Sequence, residues 1–274
     1  MTQPEPILRA EDHRAWDQWM RAVRLHRHTR QHANAVDHAR RLVARAMATG
    51  SRPAISLSGG KDSSALTHLV AVTCGAKVDV ISEKDDLDYP GEEAYVRALA
   101  ERCGVPITIV RPEVSPATWI AQRAAYMSGG EDVHGRNAGL SKACFYGVME
   151  RAGQRYDVAF WGLRAEESGR RKSLLEGKGC LYTLKAGGAR CHPLGWWRGI
   201  DVYAYLETHG IELLPVYRCI GFLPEHRREP WRLRKSWWLP GAHAAHGQVA
   251  WLRRYWPSLW DRYLAWFPDA RSFV

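Results

Sequence analysis

The chain lacks the features that mark membrane and secreted proteins. It contains no run of about 18 consecutive apolar residues, so the sequence predicts no membrane-spanning helix and no membrane contact. The opening residues Met1 to Pro6 include no basic stretch followed by an apolar one, so no secretory signal is expected. Six cysteines are spread over 274 residues without a Cys-x-x-Cys pair, which does not predict a disulfide framework. We therefore expect reduced thiols and a cytoplasmic location.

Acidic residues are outnumbered, and tryptophan is abundant. Lys and Arg total 39 against 29 Asp and Glu, for a net charge of +10. This balance favours anionic partners, namely nucleotides, phosphate or nucleic acid. Nine of the 13 tryptophans fall between Trp196 and Trp266. This segment is either a packed helical subdomain or a surface on which bases stack, and composition leaves both interpretations open.

Hydrophobic periodicity predicts an α/β fold. Residues 12–47 contain no Pro or Gly and form a helical stripe, and helices are also expected at 65–72, 92–103, 201–208 and 248–266, the last interrupted at Pro257. Buried strands are expected at 53–57, 77–82, 107–110 and 157–161. This alternation predicts a twisted parallel sheet with helices on both faces, Rossmann-like, whose ligands bind at the carboxyl ends of the strands.

Three segments are expected. Residues 1–50 form an N-terminal helical segment that packs on the core. Residues 51–222 form a nucleotide-binding α/β domain. Residues 223–274 form a basic, Trp-rich helical extension.

The segment Ser58-Gly59-Gly60-Lys61-Asp62-Ser63 stands between the first predicted strand and the next helix. Its glycines allow a sharp turn and a close approach of N–H groups to an anion. The helix N-terminus adds a positive dipole, Lys61 adds a cation, and the hydroxyls of Ser58, Ser63 and Ser64 add donors. The segment is not a Walker A loop, because Asp62 follows the lysine. It predicts a site for an anion the size of a diphosphate.

A second unusual segment, Gly162-Leu163-Arg164-Ala165-Glu166-Glu167-Ser168-Gly169-Arg170-Arg171, follows the fourth predicted strand. Together the two segments resemble the PP-loop ATP pyrophosphatase superfamily, also called adenine nucleotide α-hydrolases. They look most like the branch of phosphoadenosine phosphosulfate reductases and the small subunit of sulfate adenylyltransferase. That branch also carries a module matched here by His192-Pro193-Leu194, Trp196 or Trp197, Asp201-Val202, Tyr205, Pro215-Val216-Tyr217 and Gly221. The resemblance covers residues 54–221.

The resemblance implies an adenine nucleotide α-hydrolase-like fold that binds ATP with Mg²⁺. The implied nucleotide-binding residues are Ser56, Ser58, Gly59, Gly60, Lys61, Asp62, Ser63, Ser64, Asp86, Gly162 and Arg164. The implied catalytic residues are Lys61, Asp62, Arg164 and Arg171, and Asp62 is also the candidate Mg²⁺ ligand. Asp62 is equally interpreted as a helix N-terminal carboxylate stabilised by the dipole. The cluster of Asp85, Asp86 and Asp88 is interpreted first as a solvated turn and second as a Mg²⁺ site.

The candidate substrate-binding residues are Glu167, Ser168, Arg170, Trp237 and Trp238. The two tryptophans belong to residues 227–238, where cations alternate with aromatic rings in a pattern that suits phosphate contacts and base stacking. Nucleic acid is therefore one candidate partner. A partner protein subunit and a homodimer are others.

The expected reaction is transfer of AMP from ATP to a substrate oxygen, with release of pyrophosphate. The alternatives are a sulfate adenylyltransferase, a sulfur-transfer enzyme acting on nucleic acid, and a nucleic-acid-binding component of a modification complex. A phosphosulfate reductase is not expected, because that branch uses a C-terminal cysteine and the last cysteine here is Cys219. Cys180, Cys191 and Cys219 fit no zinc or iron–sulfur spacing and are expected to be buried structural thiols.

Overall fold

The computed structural model describes residues 5–85, 88–112, 155–185, 187–221, 248–266 and 268–273. The N-terminal segment consists of two helices, α1 (Ala10–His26) and α2 (Arg30–Met47). The sequence predicted continuous helical character over 12–47, but a turn at residues 27–29 separates the two helices. The side chain of Thr29 accepts a hydrogen bond from the backbone N–H of His32, which starts α2 anew.

The sheet has six strands: β1 (Pro53–Ser56), β2 (Asp79–Glu83), β3 (Ile107–Val110), β4 (Val158–Phe160), β5 (Leu181–Thr183) and β6 (Ala189–Cys191). Their order is β3-β2-β1-β4-β6-β5. All pairs are parallel except β5 with β6. The predicted α/β fold is confirmed. The sequence did not predict the antiparallel β5–β6 hairpin, whose connection contains Gly187 and Gly188, both at positive φ.

The remaining helices are α3 (Lys61–His68), α4 (Glu92–Arg102), α5 (Gly169–Lys178), α6 (Gly199–Thr208), α7 (Gln248–Tyr255) and α8 (Pro257–Trp266). Helix α3 continues into a π-helical turn at Leu69–Thr73, and 3₁₀ turns lie at Ala165–Glu167, Pro215–Arg218 and Pro268–Phe273. Pro257 is the first residue of α8, where its missing N–H and fixed φ cost nothing, and this explains the predicted interruption. Within the described part of the chain, no helix combines the length and apolar character needed to cross a bilayer.

Two clusters of buried residues hold these elements together. One lies around the sheet and includes Ile55, Leu66 and Phe160, all fully buried, together with Val43 of α2. The other is aromatic and joins α1, α6, α7 and α8. In this second cluster Trp251, Trp256 and Trp260 are all less than a tenth exposed. These three tryptophans therefore form core, as the packed-subdomain interpretation predicts, and their rings are not available for base stacking.

Candidate nucleotide site

The candidate site lies at the point where the chain changes direction across the sheet. β2 pairs with one edge of β1, and β3 lies beyond β2. β4, the next strand along the chain, pairs with the opposite edge of β1. In parallel sheets the loops that leave two such strands diverge and open a crevice at their carboxyl ends. The loop after β1 carries Ser58–Ser63, and the loop after β4 carries Gly162–Ser168. The two segments that the sequence singled out therefore flank this one crevice.

Gly59 and Gly162 are required by the geometry of these loops. Gly59 has φ +82°, in the region that side chains disfavour, and a Cβ there would lie 2.7 Å from Cγ of Glu92. A Cβ on Gly162 would lie 3.1 Å from the backbone nitrogen of Ser63. The loop after β4 thus packs directly against the first turn of α3. Both glycines keep the backbone close to the place where the helix N–H groups lack partners within the helix.

Hydroxyl groups fix the shape of the first loop. The Ser63 and Ser64 hydroxyls each donate to the carbonyl of Gly60 at 2.9 Å, and the Ser63 hydroxyl also accepts from the backbone N–H of Ser58 at 3.2 Å. The Tyr217 hydroxyl accepts from the backbone N–H of Lys61 at 2.8 Å. The Tyr95 hydroxyl donates to the Ser64 hydroxyl at 2.9 Å. The loop is therefore held in one conformation before any ligand arrives.

A row of alternating charges connects the two loops. Lys61 Nζ lies 2.5 Å from Asp62 Oδ2, and Arg164 Nε donates to Asp62 Oδ1 at 2.6 Å. Arg164 Nη1 donates to Glu166 Oε2 at 2.7 Å. The same carboxylate oxygen accepts the backbone N–H of Gly199 at 2.5 Å, at the N-terminus of α6. The row thus links the first loop, the loop after β4 and the start of α6.

Burial and pairing set the protonation of this row. Burial lowers the pKa of Lys61, against the opposing effect of the Asp62 carboxylate. Burial raises the pKa of Asp62, but Lys61 and Arg164 lower it by more, so the carboxyl is ionised. Burial lowers the pKa of Arg164, whereas Asp62 and Glu166 raise it by more. Asp62 is consequently an ionised carboxylate held between two cations.

Arg164 lies deeper than its expected role as an anion ligand implies. Its side chain is 0% exposed and also donates from Nη1 to the carbonyl of Trp197 at 3.3 Å. Among the described residues its Nη2 has no hydrogen-bond partner. A buried donor without a partner is costly, so this nitrogen is the group of the row best suited to an added acceptor.

The residues after Arg164 divide into two kinds. The Glu167 carboxylate accepts from the backbone N–H of Arg164 at 3.1 Å and forms an ion pair with Arg171. The Ser168 side chain accepts from the backbone N–H of Arg171 and is the N-cap of α5. Arg170 is exposed. Ser168 and Glu167 thus hold the local backbone, whereas Arg170 is exposed and has no such role among the described contacts.

Lys84 is a site residue that the sequence reasoning missed. It follows β2, is 1% exposed and forms an ion pair with the equally buried Glu92. Its Nζ also lies 3.5 Å from the carbonyl of Ser58 and 3.5 Å from Asp88 Oδ2. Lys84 lies at the carboxyl end of β2, where ligands of such sheets bind, so its position is a signal for a site residue. In the sequence it stands beside three aspartates, which were interpreted together as an acidic cluster.

Asp62 does not fit the role of a Mg²⁺ ligand in this arrangement, because each of its carboxylate oxygens already bonds a cation. Mg²⁺ is commonly held by one or two carboxylates together with nucleotide oxygens. Among the described residues, the one group of three or more side chains whose ligand atoms lie close enough for a metal is His26, His32 and Asp201, which is not at this loop. The described residues at this loop therefore do not form a Mg²⁺ site of their own.

The remaining residues singled out by the sequence lie at the end of β1, outside the described residues or in the buried core. Ser56 ends β1 and is half-buried. Asp86, Trp237 and Trp238 lie outside the described residues. Cys180, Cys191 and Cys219 are buried free thiols, as expected, and burial raises the pKa of each, to about 12 for Cys191. Burial also lowers the pKa of His192 to about 4. Because raised thiol pKa values disfavour the thiolate, these cysteines are poorly suited to nucleophilic chemistry.

A family model described as the phosphoadenosine phosphosulfate reductase domain matches residues 52–221 of the chain. This range contains both loops of the candidate site. A search of curated proteins finds no match.

Several solved structures resemble the fold. FMN adenylyltransferase of Candida glabrata has a TM-score of 0.50 at 12% identity, covering 77% of this chain and 68% of its own. The same enzyme in complex with ATP also scores 0.50 at 12% identity, covering 78% and 70%. Phosphoadenylyl-sulfate reductase from Candida auris, in a phosphate complex, has a TM-score of 0.49 at 15% identity, covering 64% and 81%. At such low identities the adenylyltransferase likeness supports the fold alone.

Proposed function

The chain belongs to the phosphoadenosine phosphosulfate reductase domain family, and we propose that it is an ATP-dependent adenylyltransferase that releases pyrophosphate. The observation that carries this proposal is the meeting of two loops at one crevice. Ser58–Ser63 supplies a preorganised N–H and hydroxyl cradle, and the paired cations Lys61 and Arg164 lie beside it. Such a cradle suits a bound polyphosphate, and we expect its nucleoside at the neighbouring carboxyl ends of the strands, where ligands of such sheets bind.

The proposed reaction is a substitution at the α-phosphorus of ATP. A substrate oxygen forms a bond to that phosphorus, and the bond from the phosphorus to the bridging oxygen breaks. Pyrophosphate leaves with the electron pair, and AMP remains attached to the substrate oxygen. The adenylylated substrate is then open to a second nucleophile. Positioning and charge stabilisation supply the rate, so no covalent intermediate on the protein is needed.

Each site residue has a distinct part in the proposal. The loop N–H groups and the Ser58 hydroxyl hold the leaving pyrophosphate, and Lys61 balances the charge that develops on it. The Ser63 hydroxyl shapes the loop through its bond to the Gly60 carbonyl. Arg164 positions Lys61 through Asp62, and its Nη2, which has no partner among the described residues, is proposed to donate to a phosphate oxygen. Arg171 and Arg170, on the rim after β4, receive the anionic part of the acceptor.

The environment of the described cysteines bears on whether the enzyme transfers an adenylyl group alone or also carries out thiol chemistry. Burial raises the pKa of each of the thiols of Cys74, Cys103, Cys180, Cys191 and Cys219. A persulfide carrier or an attacking thiol needs an accessible thiolate. We therefore rank simple adenylyl transfer above sulfur transfer by these residues and above phosphosulfate reduction. Sulfate adenylyl transfer remains the alternative that differs only in the acceptor.

The acceptor or its carrier is proposed to be anionic. The net charge is +10, and Arg30, Arg40 and Arg41 lie exposed on α2. An exposed basic surface attracts nucleic acid and other polyanions in a salt-dependent manner. Nucleic acid is accordingly included among the acceptors to be tested, with Trp237 and Trp238 as candidate contacts.

The proposal is tested by replacing Lys61. Lys61→Ala should reduce pyrophosphate release from Mg-ATP by about 100-fold, the loss typical of removing one charge-stabilising group. Asp62 keeps its ion pair with Arg164, so the variant should still fold, which circular dichroism checks. The matched control is Lys172→Ala, which removes an exposed lysine from α5. Pyrophosphate release by Lys61→Ala at the control rate would refute the assignment of this loop.

A further inference from the structure

Three side chains of types that bind metal ions lie together where the end of α1, the start of α2 and the start of α6 meet. His26 Nε2 is 2.5 Å from Asp201 Oδ1, and His32 Nδ1 is 3.6 Å from the same oxygen. These three atoms all lie within 4.8 Å of one another. The side chains are buried, with His26 8%, His32 6% and Asp201 2% exposed.

Local structure brings these groups together for identifiable reasons. His26 is the last residue of α1, and His32 lies in the first turn of α2. The turn between the helices leaves the two ring centroids 5.6 Å apart. Asp201 lies in the first turn of α6, where Oδ2 accepts the backbone N–H of Arg198 at 2.8 Å. That bond caps the helix and leaves Oδ1 directed towards the histidines. The cluster therefore joins the N-terminal helices to a helix within residues 52–221.

Hydrogen bonds among the described residues leave Nδ1 of the second histidine, His32, without a partner. Asp201 Oδ1 already accepts from His26, and among the described residues His32 Nδ1 has no hydrogen-bond partner. A buried polar nitrogen without a partner normally has an explanation, such as an ion. The Asp201 carboxylate is thus flanked by two imidazole rings, one of which has a buried nitrogen without a hydrogen-bond partner among the described residues.

From this geometry we propose that His26, His32 and Asp201 bind one Zn²⁺ ion. Two imidazole nitrogens and one carboxylate oxygen form a common zinc ligand set, and the five residues between the histidines match the spacing of known zinc sites. Tetrahedral coordination needs a water molecule as the fourth ligand, and bonds of about 2 Å require the His26 ring to withdraw from its present hydrogen bond to Asp201. The ion replaces that bond and gives His32 Nδ1 its partner.

The charges around the cluster are compatible with a bound cation. The Arg198 guanidinium lies 3.7 Å from Asp201 Oδ2, on the oxygen that the metal does not use. Its side chain is 46% exposed, so water screens its repulsion. The Thr29 hydroxyl lies 3.5 Å from His26 Nδ1, where it orients the ring nitrogen that does not bind the metal. The role assigned to the ion is to fasten α1 and α2 to α6, and it is independent of the proposed function.

The test uses the full chain without a histidine tag, stripped of metal and titrated with Zn²⁺ by calorimetry. We expect one ion per chain, a rise in melting temperature, and Co²⁺ absorption typical of a tetrahedral site. His32→Ala should weaken Zn²⁺ binding by tenfold or more. His28→Ala removes an exposed histidine from the same turn and should bind as the unchanged chain does.

A second variant guards against misfolding. Asp201→Asn keeps an oxygen for the helix cap but loses the carboxylate charge, so it should fold and bind Zn²⁺ much more weakly. The proposal is overturned if the unchanged chain shows neither Co²⁺ absorption nor a melting shift with Zn²⁺. It is equally overturned if folded His32→Ala and Asp201→Asn bind Zn²⁺ as His28→Ala does.

Discussion

Gly59 shows how a single residue makes the anion loop possible. Its φ of +82° suits glycine, and the space for a Cβ is filled by Glu92, which Lys84 holds in an ion pair. The neighbouring Lys61, Asp62 and Arg164 form a paired row rather than three free charges. Each charged side chain of this row is therefore held in place by an ion pair with its neighbour.

Gly59→Ala should therefore weaken ATP binding by about tenfold or more, because the left-handed conformation costs an alanine about 1–2 kcal/mol and the methyl group displaces Glu92. Calorimetric titration with ATP measures the effect. Gly75→Ala is the matched control, since Gly75 also has positive φ, +64°, but has open space around it. Equal ATP affinity in the two variants would contradict the role given to the contact with Glu92.

The residue types at the site were predictable from the sequence, but their pairing was not. The Ser58–Ser63 pattern indicated an anion loop because glycine, hydroxyl and lysine chemistry can be recognised locally. The burial of Arg164 and its bond to Asp62 depend on how β1 and β4 pair, which local sequence does not specify. The sequence suggested Asp62 as a metal ligand because local sequence does not show that Arg164 lies beside it. In the structure its two carboxylate oxygens pair with Lys61 and Arg164.

At the scale of elements, helix starts account for several of the residues that the sequence singled out. Ser168 caps α5, and Asp201 accepts the N–H at the start of α6. The Glu166 carboxylate also lies at the start of α6, where the helix dipole favours a negative charge. A side chain that caps a helix next to a site looks, in sequence, like a ligand of that site.

Ser168→Ala should lower the free energy of unfolding by about 1 kcal/mol, the usual cost of losing an N-cap. Ser168→Asn, which restores a capping oxygen, should match the unchanged chain both in unfolding free energy and in the rate of pyrophosphate release. Urea denaturation and a pyrophosphate assay on the two variants measure this. If Ser168→Asn is stable but inactive, the hydroxyl contacts the substrate and capping is not its main role.

Strand and helix positions were largely predictable, because their apolar periods are local. The strand predicted at 107–110 coincides with β3, and Pro257 separates α7 from α8 where the sequence placed the interruption. The β5–β6 hairpin was missed because its three-residue strands, Leu-Tyr-Thr and Ala-Arg-Cys, mix apolar and polar residues, whereas the equally short β4 is the apolar run Val-Ala-Phe. The break between α1 and α2 was missed because it contains neither Pro nor Gly.

Across the whole molecule, the two ends of the chain are joined by a buried carboxylate. Asp12 is fully buried and accepts from the backbone N–H of Gly221 at 2.7 Å, and the Tyr255 hydroxyl also donates to it. Arg254 of α7 forms an ion pair with Glu11 of α1. The C-terminal helices are therefore part of the folded core. The division at residue 223 that the sequence predicted remains a prediction.

Trp251→Ala should cost about 3–5 kcal/mol of unfolding free energy, since it removes a buried ring and the hydrogen bond from its indole to the Cys219 carbonyl. Trp196→Ala is the control, because Trp196 is 48% exposed, and it should change the free energy by no more than about 0.5 kcal/mol. Chemical denaturation of both variants decides the matter. A stable Trp251→Ala variant that loses nucleic-acid binding would instead identify the ring as part of a contact surface.

The most direct measurement of the central claim follows the α-phosphate of ATP. The protein is incubated with Mg²⁺ and ATP labelled at the α-phosphorus, alone and with sulfate, DNA, tRNA or a metabolite extract, and the products are separated. Adenylyl transfer predicts unlabelled pyrophosphate, with the label in AMP or in an adenylylated acceptor. Labelled ADP, or no turnover with any addition, would contradict it.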